Sequence, residues 1–138
     1  YAMKIQVSPD KTIAQIQEEF SSLFPFLKIV FFSKSHKAYK GSHAKFLISD
    51  TERTLGSMEK TPRDGVLYIE EDMPTWQLER LFEEEFGLHV QLFRKSGNTW
   101  LITSVTDDLT LDEQNVKGKA SERHNFEFVD PMDYREQD

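Results

Sequence analysis

"KIQVSPDKTIAQIQEEFSSLF" (residues 4–24) and "VLYIEEDMPTWQLERLFEEEF" (66–86) lie over one another without a gap at an offset of 62. Asp10 falls on Asp72, Gln15 on Gln77, Ile16 on Leu78, Phe20 on Phe82 and Phe24 on Phe86. After one deleted residue the correspondence resumes, with "LKIVFFSKS" (27–35) over "LHVQLFRKS" (88–96). Further on, "FLIS" (46–49) lies over "WLIT" (100–103) and "TL" at 54–55 over "TL" at 110–111. Matching blocks in one order point to an internal duplication, and a repeat constrains the architecture before any motif does.

Each copy predicts the order β-α-β-β. "KIQVS" and "VLYIEE" alternate or run apolar with β-branched residues and end at turn-prone acidic segments, as strands do. Thr12 and Gln15 have the spacing of a capping box, and Pro74 stands at the matching position of the second copy, suited to a first helical turn. Ile13, Ile16, Phe20, Leu23 and Phe24 fall near one helical face, as do Leu78, Leu81, Phe82 and Phe86. Gln17, Glu18 and Glu19, and likewise Glu79, Glu83 and Glu84, are expected on the outer faces. Pro25 and Gly87 mark the helix ends.

Two strands follow in each copy: "LKIVFF" and "KFLIS", then "HVQLF" and "TWLITSV". "RKSGN" (94–98) between the last two is a hairpin signal. Short helical turns are expected from Thr54 and Thr110, the latter with Glu113 at capping-box spacing. From Lys117 the chain reads as polar, with the alternating "FEFV" (126–129) as a candidate edge strand before a loose end.

The fold class expected is therefore α+β, with two tandem βαββ repeats, residues 1–62 and 63–124, and a tail over 125–138. One unit offers a single helix to cover three strands, which is marginal alone. The two are expected to form one pseudo-symmetric, cooperative domain with mainly antiparallel sheet and one helix per repeat, sharing a sheet or stacking their apolar faces.

The formal charge is −7, but it is unevenly spread. From Phe20 to Ser49 there are five lysines and no acid, whereas the remainder carries 12 basic and 24 acidic residues. Lys34, Lys37, Tyr39, Lys40 and Lys45 fall in the connection between the second and third strands of the first copy. Arg94 and Lys95 occupy the matching connection of the second. The stretch between Phe32 and Phe46 is more than twice as long as that between Phe93 and Trp100, so the first connection is expanded. These seven residues form a candidate partner-binding or anion-binding site, although lysines also keep a sheet edge soluble. A −12 remainder disfavours nucleic acid, because the rest of the polymer would be repelled. An acidic protein surface, or self-association, fits better.

Other chemistry finds little support. The absence of cysteine excludes disulfides and thiolate metal sites. His36, His43, His89 and His124 have no ligand-type spacing, and the acidic runs read as solvated faces and caps. Neither a nucleophile elbow nor a phosphate-binding glycine loop is present. No apolar run approaches the roughly 20 residues of a membrane span. Met3 reads as a start, with Tyr1 and Ala2 as added residues. Trp100 is expected in the core; Trp76 is a candidate exposed aromatic anchor or a cover for the helix end. The expectation is a cytoplasmic, non-catalytic interaction module without cofactor or metal, binding an acidic partner through its basic hairpin. The alternative is a small-ligand or anion-binding protein with a pocket between the repeats and weak enzyme activity.

Overall fold

The computed structural model describes residues 2–33, 46–58 and 64–122. Over these the order is β1 (Ala2–Val7), α1 (Ile13–Leu23), β2 (Leu27–Phe32), a 3-10 turn (Leu55–Ser57), β3 (Gly65–Glu70), α2 (Thr75–Phe86), β4 (His89–Ser96), β5 (Thr99–Ile102) and α3 (Leu111–Ser121).

The helices begin where the caps place them. Thr12 and Gln15 exchange both bonds of a capping box, as do Thr110 and Glu113, satisfying amides that a helix start would otherwise leave unpaired. Pro74 is the N-cap of α2, one position before the first turn, and offers no side-chain bond. Backbone carbonyls of the 103–110 connection substitute: Thr75 N donates to Leu109 O at 2.9 Å and Trp76 N to Asp107 O at 3.1 Å. The start of α1 is sealed in the same way, Ile13 N by Arg53 O at 3.0 Å and Ala14 N by Thr51 O at 2.8 Å. Helix α2 ends at Gly87, whose φ of 67° is left-handed backbone that glycine adopts at little cost.

The molecule is α+β with antiparallel sheets and, among the described residues, three α-helices. Strand pairing departs from the expected unit. β1 pairs with β3, Ile5 opposite Leu67, and β2 pairs with β4, Val30 opposite Gln91. The two sheets, β1-β3 and β2-β4-β5, each take strands from both halves of the chain. The reason lies in the connections: α1 and α2 carry the chain across between strands, so β1 and β2 never meet as a hairpin. Among the described residues only β4 and β5 do, around the two-residue turn Gly97-Asn98, with Gly97 at φ 60°.

Burial explains why this arrangement holds. Ile5, Ile16, Phe20, Ile29 and Phe31 join Leu67, Leu78, Phe82, Leu92 and Leu111 in one core. Each such side chain contributes about 1.5–3 kcal/mol by leaving water. Phe31 of β2 meets Phe82 of α2 edge-on, ring centroids 6.0 Å apart, so the two halves share their centre.

Several expectations need correction. Residues 46–49 do not form a regular strand; Leu47 makes a single bridge to Phe32. Chain beyond Lys117 is still helical through Ser121, so the second half carries two helices. α3 packs close because Gly118 lies against Phe26, where a Cβ would come within 2.8 Å. Arg94, Lys95 and Ser96 belong to β4, not to the hairpin turn. "FEFV" (126–129) lies outside the described residues.

Candidate anion-binding face

The three-stranded sheet has two unlike faces. Phe31 meets α2, and Arg94 meets α3 through Gln114, with Nη1 donating to Oε1 at 3.2 Å. By register Lys28, Val30, Phe93, Lys95, Trp100 and Ile102 share the opposite face. Lys95 stands directly across from Trp100 and Lys28 across from Phe93.

Trp100 is half-buried, not core, because β5 presents it to this outer face. The Lys28 ammonium lies 4.8 Å from its ring centroid and that of Lys95 5.2 Å. Each contact contributes about 0.5–1 kcal/mol at an exposed site. The two ammoniums are thus at most about 10 Å apart, where their repulsion is on the order of 1–2 kcal/mol at an effective dielectric near 20. Burial, and after it the Lys95 charge, lowers the pKa of Lys28. Among the described residues no carboxylate stands within 4.0 Å of either lysine. One indole therefore gathers two partly desolvated cations, with no carboxylate of the described residues close enough to offset them.

The sequence names part of this site. Lys95 is in it. Arg94, expected beside it, is buried at 7% exposure on the opposite face, and so is no part of an exposed hairpin. Lys34, Lys37, Tyr39, Lys40 and Lys45 lie outside the described residues, as do His36, His43 and His124. Lys28 and Trp100 do not stand out in the sequence as binding residues. The signal for Lys28 is its outward place between Leu27 and Ile29, inside the acid-free window.

Trp76 lies elsewhere, half-buried, with the Arg80 guanidinium 4.9 Å from its ring. With Glu79, Glu83, Val90 and Asp107 the pair lines a half-open depression of about 270 Å³. Glu79, expected on the outer face of α2, is buried at 8% exposure. β5 stops at Ile102, so the Leu92 amide on β4 has no strand partner there. Glu79 Oε2 accepts from that amide at 2.9 Å and from Gln91 Nε2 at 2.9 Å. Burial pushes its carboxyl up to about 7, with the bond from the Leu92 amide opposing and the Asp107 charge adding to the rise. Gln17 of α1, 62 positions earlier, makes a comparable reach, its Nε2 donating to Ile29 O at 2.9 Å.

A second depression, about 380 Å³, draws on both halves, with Phe31, Ile48 and Met58 facing Leu88 and His89. His89 Nδ1 lies 3.5 Å from Glu83 Oε2. Among the described residues no three His, Cys, Asp or Glu side chains are grouped as metal ligands. Nor is any described helix long and apolar enough to cross a membrane.

No protein-family model, curated protein or solved structure matches the chain.

Proposed function

We propose that the chain is a non-catalytic protein-interaction module that receives an acidic segment of a partner on the Lys28, Lys95 and Trp100 face. The observation that carries this is the pair of ammoniums gathered at one indole with no carboxylate of the described residues beside either. An incoming carboxylate would offset their mutual repulsion, and the indole supplies apolar area for an aromatic or aliphatic neighbour, the combination common at binding hot spots. Further positive charge in the acid-free window around β2 would speed encounter with an acidic partner.

The scaffold of this module is read as two copies of one unit related by a pseudo-twofold axis. At the 62-residue offset Ile5 and Leu67 are equivalent, and they face each other in β1-β3. At the 61-residue offset Val30 and Gln91 are equivalent, and they face each other in β2-β4. The bridge Thr12 to Thr54 recurs as Pro74 to Thr110. Leu55 N to Lys11 O at 2.8 Å recurs as Leu111 N to Met73 O at 3.0 Å. Ile48 N to Phe31 O recurs as Thr103 N to Leu92 O, which moves the "FLIS" block by one residue, so that Phe46 matches Leu101 instead of Trp100. Trp100 then belongs to the second copy alone, as a binding residue added to a common frame would.

The test uses the full chain and a fluorescently labelled twelve-residue peptide of Glu, Asp and Phe. Anisotropy at low salt is expected to show saturable binding that weakens at least tenfold in Lys28→Glu/Lys95→Glu, with the circular dichroism spectrum unchanged. Equal affinity of the two chains would sink the reading.

A further inference from the structure

Trp76 and the acids of its helix have no like in the first half of the chain. At the 62-residue offset Ala14, Gln17, Ser21 and Ser22 stand where the second half has Trp76, Glu79, Glu83 and Glu84. Thr51, whose carbonyl seals the start of α1, answers to Asp107, whose carbonyl seals that of α2. Helix α1 thus forms and is sealed without an indole or a carboxylate at any of these positions. In the second half the five side chains line one half-open depression of about 270 Å³.

The charge of this lining is not balanced from within. Among its described residues Arg80 is the one cation, and it lies toward solvent: its side chain is 55% exposed, with Nε 4.0 Å from Glu84 Oε2 and the guanidinium 4.9 Å from the Trp76 ring centroid. Among the described residues no cation stands within 4.0 Å of Glu79 or Asp107. Glu79 is nine-tenths buried, and its Oε2 is taken by the Leu92 amide and Gln91 Nε2. Its Oε1 takes no bond from the described residues and is not sealed away from the depression. The Asp107 charge works against ionisation of Glu79, so an arriving cation would offset both acids at once.

The chemistry of the occupant follows from what the lining offers. An anion finds no free amide at the start of α2, because Thr75 N and Trp76 N already donate to Leu109 O and Asp107 O. Among the described residues the acids are not grouped as metal ligands. A guanidinium grips a carboxylate through two parallel bonds, and Glu79 has one oxygen to give. An ammonium is a point charge with three donors, for which one oxygen at each acid suffices. Trp76 and Val90 offer its stem apolar surface, and an indole face itself attracts a cation. The volume is below that of a drug-sized pocket, which keeps the occupant small.

We propose that the depression over Trp76, Glu79 and Asp107 binds a short alkylammonium, either a free amine or the end of a lysine side chain, with the ammonium on Glu79 Oε1 and the Asp107 carboxylate and the stem against the indole. The site shares no residue with the Lys28, Lys95 and Trp100 face and stands or falls independently of it.

The test titrates the full chain at pH 8 with n-butylammonium and with Nα-acetyl-lysine methylamide, n-butanol being the uncharged control. Both indole N–H resonances are followed by NMR and assigned with Trp76→Phe. A saturable shift of the Trp76 resonance is expected with Trp100 unmoved, and none with n-butanol. Affinity is expected to fall at least tenfold in Glu79→Gln/Asp107→Asn with the circular dichroism spectrum unchanged. The charged groups facing Glu79 are Arg80, Glu83 and Glu84 of α2 and Asp107 of the connection before α3, while β4 brings Val90, Gln91 and the Leu92 amide to it and His89 to Glu83. From pH 6 to 8 affinity is expected to rise at least threefold as Glu79 ionises, and to stay level in Glu79→Gln, which separates its titration from that of His89. A response to the lysine amide alone assigns the site to a protein side chain, to butylammonium alone to free amines, and to both the ammonium and stem they share; each supports the site. No shift, an equal shift with n-butanol, unchanged affinity in the double variant or a pH dependence that persists in Glu79→Gln overturns the proposal.

Discussion

Glu79 shows how one side chain records a compromise between pairing and burial. Its carboxylate completes the hydrogen bonding of β4 where β5 falls short, yet it does so in a place that disfavours its charge. The folded pKa of about 7 lies above the ordinary 4.5. Both folded and unfolded chains hold the proton below 4.5. As pH rises through the interval the unfolded chain releases it first, so stability falls until about 7 and is level above. The interval corresponds to a loss on the order of 3 kcal/mol. In Glu79→Gln the amide oxygen still accepts from Leu92 N and nothing titrates. The difference in unfolding free energy between the unaltered chain and Glu79→Gln, taken from urea melts at pH 4.5, 6 and 8, is expected to move toward the variant by that amount. A difference that stays flat would contradict the assignment. The position is legible: Glu79 stands one helical turn after Thr75 and one before Phe82, on the flank of the stripe that also holds Leu78 and Phe86. Glutamate's usual preference for water outweighs that placement when the sequence alone is read. Trp100 misleads for the converse reason, since an aromatic on a strand is most often core and nothing local says which face of the sheet is covered.

Among the elements, α3 is the one whose seating the sequence leaves least defined. Its start is legible in Thr110 and Glu113, because a capping box is a local device that operates within one helical turn. Its length is not, since only Leu111, Gln114 and Gly118 are buried and no apolar stripe announces the rest. The helix is held instead by particular contacts: Asn115 Oδ1 accepts from Phe26 N at 2.9 Å, and Gly118 admits Phe26 at close range. Gly118→Ala would gain about 1 kcal/mol of helix propensity. Against that, its methyl would meet the Phe26 Cβ at 2.8 Å and the Phe26 carbonyl oxygen at 3.0 Å. Overpacking against backbone costs roughly 1–3 kcal/mol, so a net loss of stability is expected in denaturant melts, and a stabilised variant would contradict the close seating. Strand pairing is illegible for a related reason. Alternation identifies β1 and β3 as strands with Ile5, Val7, Leu67 and Ile69 inward, but alternation constrains faces and not neighbours.

Across the whole molecule, strands from the two halves interleave in both sheets, and neither half holds a sheet like those of the intact chain. The 62-residue offset at which the two halves resemble one another is visible in the sequence because the helix stripes and the caps are local. How the halves exchange strands depends on contacts between residues far apart in the chain, such as Ile5 with Leu67, which periodicity does not encode. Charge segregation is equally visible, yet it points to the hairpin turn because turn residues are usually exposed, whereas β2 and β4 bring Lys28 and Lys95 together across the sheet. The most direct measurement is an NMR titration of the full chain with the acidic peptide, following both indoles. The account predicts a saturable shift of the Trp100 resonance that 0.5 M salt removes and Lys28→Glu/Lys95→Glu abolishes, with Trp76 unmoved. An unmoved Trp100, or a Trp76 that moves as far, would contradict it.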